Sequence, residues 1–255
     1  MDRRNFYPAL ILLVLIAVWE FLVRVFDVPF YILPPPSGIF QTFASNFSLL
    51  LRHTLVTLEE IVLGILLALA LAFPLALVMF FRKSLERAFY PLLIASQAIP
   101  VFALAPLFVY WFGYSILSKV LMAALIVFFP ITLNLLQGIR DADRDLVDLL
   151  WVAGATRWQI LWKIRFPWAL PFLFAGLKIG VSVSTIGAVI GEWVGAERGL
   201  GYLMLHANAQ LRISLIFASI LILSAIGLAL FYGVELLERV FLPWKRRERK
   251  WEEKG

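Results

Sequence analysis

Apolar residues run through this chain in long stretches, and the polar residues gather into short segments between them. A helix crossing a bilayer needs about 20 mostly apolar residues, because the hydrocarbon core is about 30 Å thick and each residue advances about 1.5 Å. Six stretches meet that requirement: Tyr7 to Val25, Leu55 to Phe81, Phe89 to Phe112, Ile116 to Leu136, Trp168 to Val189 and Ile213 to Leu237. The pattern predicts an all-α, polytopic membrane protein with six transmembrane helices. Arg3 and Arg4 precede the first apolar run as in a secretory leader. No small-x-small cleavage pattern follows before Glu20 and Arg24, so that run is expected to stay attached as an anchor. The organisation expected is residues 1–54 as one helix and an external loop, 55–240 as a five-helix core, and 241–255 as a basic tail.

The connections differ in kind. Asp27 to Thr54 contains YILPPPSGIF, whose three successive prolines favour an extended polyproline segment ahead of an amphipathic stretch. Gly191 to Arg212 contains GEWVGAERGLGYLMLHANAQ, whose glycines are expected to break the helix near the outer surface, with LGYLMLHA as a short re-entering turn.

The connector from Asp141 to Pro171 is the most polar part of the interior. Asp141, Arg144, Asp145 and Asp148 recur on one helical face, and Leu146, Leu149, Leu150 and Ala153 on another, so a helix lying along a surface is predicted. Gly154 supplies the left-handed residue that closes it. Thr156 and Gln159 have the spacing of a capping box, which starts a second helix carrying Trp158, Leu161 and Trp162 against Lys163 and Arg165. Pro167 is expected to end that helix. By residue pattern alone the segment is either an interfacial hairpin lying on the inner leaflet or a docking element, where Ala153, Gly154 and Ala155 allow close approach.

Composition and charge narrow the class. The chain is 62% hydrophobic and 16% charged, against about 45–50% and about 25% in soluble domains, which excludes a soluble enzyme. The absence of cysteine excludes disulfides, cysteine-ligated zinc, iron–sulfur clusters and a thiol nucleophile. With the N-terminus inside, 17 of the 23 Lys and Arg residues fall on the cytoplasmic side, so the positive-inside rule puts both termini in the cytoplasm. The tail KRRERKWEEKG then reads as a flank held by anionic lipid, not a nucleic-acid site.

The connector resembles the signature loop of binding-protein-dependent ABC importer permeases, in which an acidic-Ala-Ala segment is followed four positions on by Gly and ten further by Ile-x-x-Pro. Asp148 takes the acidic place, Gly154 the glycine, and Ile164 to Pro167 the end, while Leu149 and Leu150 replace the alanines. LPPPSGIF, ASQAIPVFALAPLFVYWFGYS, FFPITLNLLQGIRDAD and GEWVGAERGLGYL are similar in order and spacing to the nitrate, sulfonate and taurine type of permease, from about residue 33 to Trp244. ASQAIP, GEWVGAERGLGYL and ELLERVFLPW are most similar to the branch for thiamine pyrimidine precursors.

The resemblance implies an inner-membrane permease working as a homodimer, with two ATPase subunits beneath it and an external binding protein delivering a small polar or anionic solute. It implies a cytoplasmic coupling helix between the fourth and fifth crossings that docks on the ATPase. The coupling residues are then Asp148, Leu149, Leu150, Ala153, Gly154, Ala155, Ile164 and Pro167, and Glu192 sits at an outer gate. No G-x-x-x-x-G-K-[ST] occurs, so an ATPase has to be another chain. Polar groups inside crossings are costly and mark candidate pathway positions. Gln97 and Pro100 in the third crossing, Ser184 in the fifth, and Glu192 are the candidates, each weighed against a purely structural role. Lys178 reads as a snorkelling side chain or a structural ion pair. Glu59 and Glu60 read as carboxylates in the first turn of a helix, and His53 and His206 as surface residues. No catalytic site, metal or cofactor is expected. The rival class is a secondary transporter driven by an ion gradient, which calls for inverted repeats and midplane carboxylates that the sequence lacks.

Overall fold

The computed structural model describes residues 3–243. The expected basic tail from Trp244 onward lies outside the described residues. Among those residues every regular element is helical: α1 (Arg3–Val25), α2 (Pro36–Ser45), α3 (Phe47–Phe81), α4 (Lys83–Gln97), α5 (Val101–Phe112), α6 (Ile116–Arg140), α7 (Arg144–Val152), α8 (Arg157–Ile160), a π-helical turn (Leu161–Arg165), α9 (Phe166–Gly195), α10 (Leu200–Ala209) and α11 (Ile213–Phe241). Among the described residues four runs are long and apolar enough to cross a bilayer: α3, α6, the continuous run Arg157–Gly195, and α11. A fifth is added if α4 and α5, bent by 103° at their junction, form one broken crossing.

That bend corrects the expectation of one kinked helix over Phe89 to Phe112. Pro100 has no N–H to donate and is extended at φ −61° and ψ 114°, and its ring disfavours helix at the residue before it. The chain leaves α4 through tight turns, with the Ala98 N–H on the Ala95 carbonyl at 3.0 Å and the Ile99 N–H on the Ser96 carbonyl at 3.3 Å. Pro106, by contrast, is accommodated inside α5 without a break.

The chain divides into two compact units, residues 1–57 with 197–224 and residues 58–196 with 225–255. In the first, Pro35 is extended and Pro36 opens α2, where its missing N–H is not needed. Glu20 of α1 accepts from the Ser37 backbone N–H at 3.0 Å and the Ser37 hydroxyl at 2.8 Å, and pairs with Arg24 at 2.6 Å. Trp19 packs on Phe217 with ring centroids 5.6 Å apart. The expected short turn around LGYLMLHA is the full helix α10, held by His53 Nδ1 accepting from the Gly199 N–H at 3.0 Å and by Thr57 Oγ1 accepting from the Leu200 N–H at 2.8 Å. His53 is therefore a half-buried brace, not the bland surface residue its sequence position suggested.

In the second unit α6 pairs with α9 over much of its length. The cause is a stripe of small residues that lets two backbones approach, the usual route to tight packing in lipid. A Cβ placed on Gly176 would lie 2.6 Å from the Pro130 carbonyl oxygen, and one on Gly187 would lie 2.7 Å from Ala123 Cα. Ala68 and Ala72 of α3 pack on Ala124, Val127 and Ile131 of α6. Phe174 and Val181 of α9 pack against Val234 and Leu242.

Candidate functional site

The connector between α6 and α9 is built by local capping. Asp143 accepts from the Asp145 N–H at 2.9 Å and so caps α7. Its carboxylate also stands at the positive end of the helix dipole. The helix thus starts at Arg144, inside the acidic run, and Asp141 lies before it. Gly154 closes α7 at φ +80°, and a Cβ there would meet nothing within 4 Å. The glycine is required by backbone conformation alone and not by packing within this chain. The capping box forms as expected, with the Gln159 N–H on Thr156 Oγ1 at 3.3 Å and the Thr156 N–H on Gln159 Oε1 at 2.7 Å.

The second short helix does not stop at Pro167. It passes through the π-helical turn into α9, where Pro167 falls in the first turn. In the π turn the Phe166 N–H reaches back to the Leu161 carbonyl. That widened ladder lets the chain enter α9 at a position where the missing proline N–H costs nothing. The connector is therefore in one piece with the crossing behind it. Arg165 fastens it further, donating to the Ile139 carbonyl at 2.9 Å while its guanidinium lies 5.2 Å from the Phe80 ring centroid.

The two faces of α7 have opposite environments. Val147 is buried and packs with Ala142, Ile160, Leu150, Ala155 and Ile164. Leu146, Leu149 and Val152 are 43%, 63% and 89% exposed, which leaves an apolar ridge projecting from the protein beside the exposed Asp148, Ala153 and Gly154. Leu150 thus belongs to the inner face, not the outer one with Leu149. Of the coupling candidates, Leu150, Ala155 and Ile164 anchor the element, while Asp148, Leu149, Ala153 and Gly154 present it.

The pathway candidates are not brought together. Gln97 and Pro100 are exposed at the α4–α5 break, and Ser184 is fully buried with its hydroxyl on the Val181 carbonyl of its own helix at 2.8 Å. Glu192 lies in the last turn of α9 instead of beginning a loop, and is 1% exposed. It faces Glu60, 2% exposed, with Lys119, 4% exposed, close by. Lys119 also donates to the carbonyls of Tyr114 and Ser115 at 2.8 and 3.0 Å. This cluster joins α3, α6 and α9, and the sequence reading missed it. The position of Glu60 just after Thr57 suggests a first turn, but α3 begins at Phe47, so Glu60 lies well inside the helix. The available signal was its position on the same helical side as Thr57, Ile61 and Gly64, which points to a buried face. Lys178 forms a structural ion pair with Glu238.

Long apolar helices, a helix–helix seam of glycines and buried ionisable groups confined to the bundle define a multi-pass membrane protein. The chain belongs to the binding-protein-dependent transport system inner membrane component family, which matches residues 60–247. A "Probable ABC transporter permease protein" of Haemophilus influenzae is 43% identical, covering 95% of this chain and 99% of that protein. The "Formylaminopyrimidine transport permease protein ThiX" of Halalkalibacterium halodurans is 42% identical over 94% and 96%. The "Riboflavin transport system permease protein RibX" of Chloroflexus aurantiacus is 41% identical over 95% and 93%. The likeness to the nitrate, sulfonate and taurine group is borne out, and the second relative is consistent with the thiamine-precursor branch. The chain is a permease subunit of an ABC importer, a transport subunit whose family implies a separate ATPase and a binding protein, and the secondary-transporter alternative is not favoured.

Proposed function

We propose that α7 is the coupling helix of this importer, that it faces the cytoplasm with both chain termini, and that two copies of the chain with six crossings each form the pathway. The observation that carries this is the exposed ridge of Leu146, Leu149 and Val152 on a helix whose other face is anchored. Each such aliphatic side chain gains about 1.5–3 kcal/mol when fully buried, so an ATPase groove that covers the ridge obtains a grip on the permease. Continuity through the π turn supports transmission of that grip to α9 as a rigid-body movement between two packed states. The solute is a small heteroaromatic compound of the pyrimidine-precursor kind, supported by the names of the second and third relatives above. Sulfonates and taurine are the alternative within the group.

The test is solute-stimulated ATP hydrolysis by the reconstituted complex of permease, ATPase and loaded binding protein. Gly154→Pro demands φ near −65° where the chain needs +80°, and Ala153→Asp puts a charge beside the ridge. Both variants are expected to insert normally and to lose stimulation. Normal stimulated hydrolysis in Gly154→Pro would refute the coupling role. Sidedness is measured separately, since the chain has no cysteine and Val152→Cys gives one exposed thiol. A thiol reagent that cannot cross the membrane is expected to label it only from the cytoplasmic side.

A further inference from the structure

A half-open cavity lies between the start of α4 and the connector. Its volume is about 590 Å³, and Arg82, Lys83, Arg157 and Arg165 line it together with Phe81 and Trp151. Pockets of roughly 300–1,000 Å³ are the size that holds small ligands. No carboxylate is among the lining residues. Arg165 is committed to the Ile139 carbonyl and the Phe80 ring, and the nearby Asp148 carboxylate, which does not line the cavity, acts on its charge. Arg82, Lys83 and Arg157 form no ion pair among the described residues. Like charges so gathered repel one another unless an anion sits among them.

An aromatic cluster that continues from the lining residue Phe81 indicates how such an anion arrives. Phe81 ends α3, Trp158 stacks on it with centroids 5.8 Å apart, and Trp162 follows at 5.7 Å from Trp158. Trp158 and Trp162 are 55% and 40% exposed. Exposed indoles at the end of a crossing mark the depth of the lipid headgroups, and cations clustered there meet the anionic lipids of the inner leaflet.

We propose that this cavity is a binding site for a phosphate-bearing anion, with an anionic phospholipid headgroup as the source that the adjoining aromatic cluster favours and free phosphate as the other. The inference rests on the cytoplasmic placement of the connector proposed above. That placement is read independently by the Val152→Cys labelling, so failure of one is distinguishable from failure of the other.

The experiment is native mass spectrometry of the permease–ATPase complex released from nanodiscs that contain equal phosphatidylglycerol and phosphatidylcholine. Wild type is expected to retain phosphatidylglycerol in preference. Arg82→Gln/Arg157→Gln is expected to lower that retention about 30-fold, from the usual contribution of two cations near a lipid surface. Arg87→Gln/Lys163→Gln removes the same charge from residues that do not line the cavity, and is expected to leave retention unchanged. Retention that resists millimolar orthophosphate assigns the site to lipid. Retention lost to orthophosphate, with the same dependence on Arg82 and Arg157, assigns it to free phosphate. Equal retention of both lipids, or equal loss in the two double variants, overturns the site.

Discussion

The α6–α9 seam makes a prediction whose size follows from the geometry. A methyl group on Gly187 would lie 2.7 Å from Ala123 Cα and 3.0 Å from the Met122 carbonyl oxygen. The closer contact falls about 0.7 Å short of the 3.4 Å at which ordinary contact begins, and both partners are backbone. No side-chain rotation relieves it, so α6 has to move. Overpacking of this kind costs about 1–3 kcal/mol. The same substitution raises helix propensity, worth about 1 kcal/mol. Gly233→Ala in α11 supplies the control, because a Cβ there meets nothing within 4 Å. Both variants share the propensity gain, so their difference isolates the clash and corresponds to about 5- to 150-fold in the folding equilibrium. The assay is unfolding in mixed micelles followed by the fluorescence of the nine tryptophans. Coincident midpoints for Gly187→Ala and Gly233→Ala would show that the seam is not the tight contact described.

Lys119→Met removes the cation from beside two buried carboxylates, Glu60 and Glu192. Breaking a buried charge cluster in this way costs about 3–5 kcal/mol. The same unfolding assay is expected to show that loss and its partial recovery in Lys119→Met/Glu192→Gln, and a wild-type midpoint for Lys119→Met would count against the cluster. Thr156→Ala deletes the hydroxyl that accepts from the Gln159 N–H, at a cost of about 1 kcal/mol. Amide exchange at Gln159 is expected to quicken about fivefold, with the amides of α6 unaffected. Exchange unchanged at Gln159 would mean that the capping box contributes nothing to α8.

Much of this architecture was legible because lipid leaves few options. Backbone groups in hydrocarbon have to be satisfied within the helix, so apolar runs of sufficient length announce the spans. The capping box at Thr156 and the αL turn at Gly154 were equally readable, since each depends on residues within one helical turn. The break at Pro100 was half readable: a proline inside a run signals a kink or an end, and the choice between them is made by tertiary packing. Pro167 carried the same ambiguity, resolved the other way by a π turn that no local signal announces. The Glu60, Lys119 and Glu192 cluster was hidden for a different reason. Its members come from three helices, and one sequence carries no record of which helical faces meet.

These polar features acquire a common logic when placed on the helix pair that carries them. At one end, α6 starts with Lys119 beside Glu192 in the last turn of α9. At the other, Arg165 of the π turn that leads into α9 holds the Ile139 carbonyl near the end of α6. Between them the glycine seam leaves almost no room for sliding. A pair locked in the middle and latched at both ends moves as one body, because displacing one helix alone would break polar contacts that lipid cannot replace. On the coupling role proposed above for α7, force from an ATPase would reach the Glu192 end without being absorbed by shear between α6 and α9. On that same reading, the compliance needed for transport lies outside the pair. The α4–α5 junction, which bends by 103° and has its polar Gln97 exposed, is the break in this unit best suited to supply it.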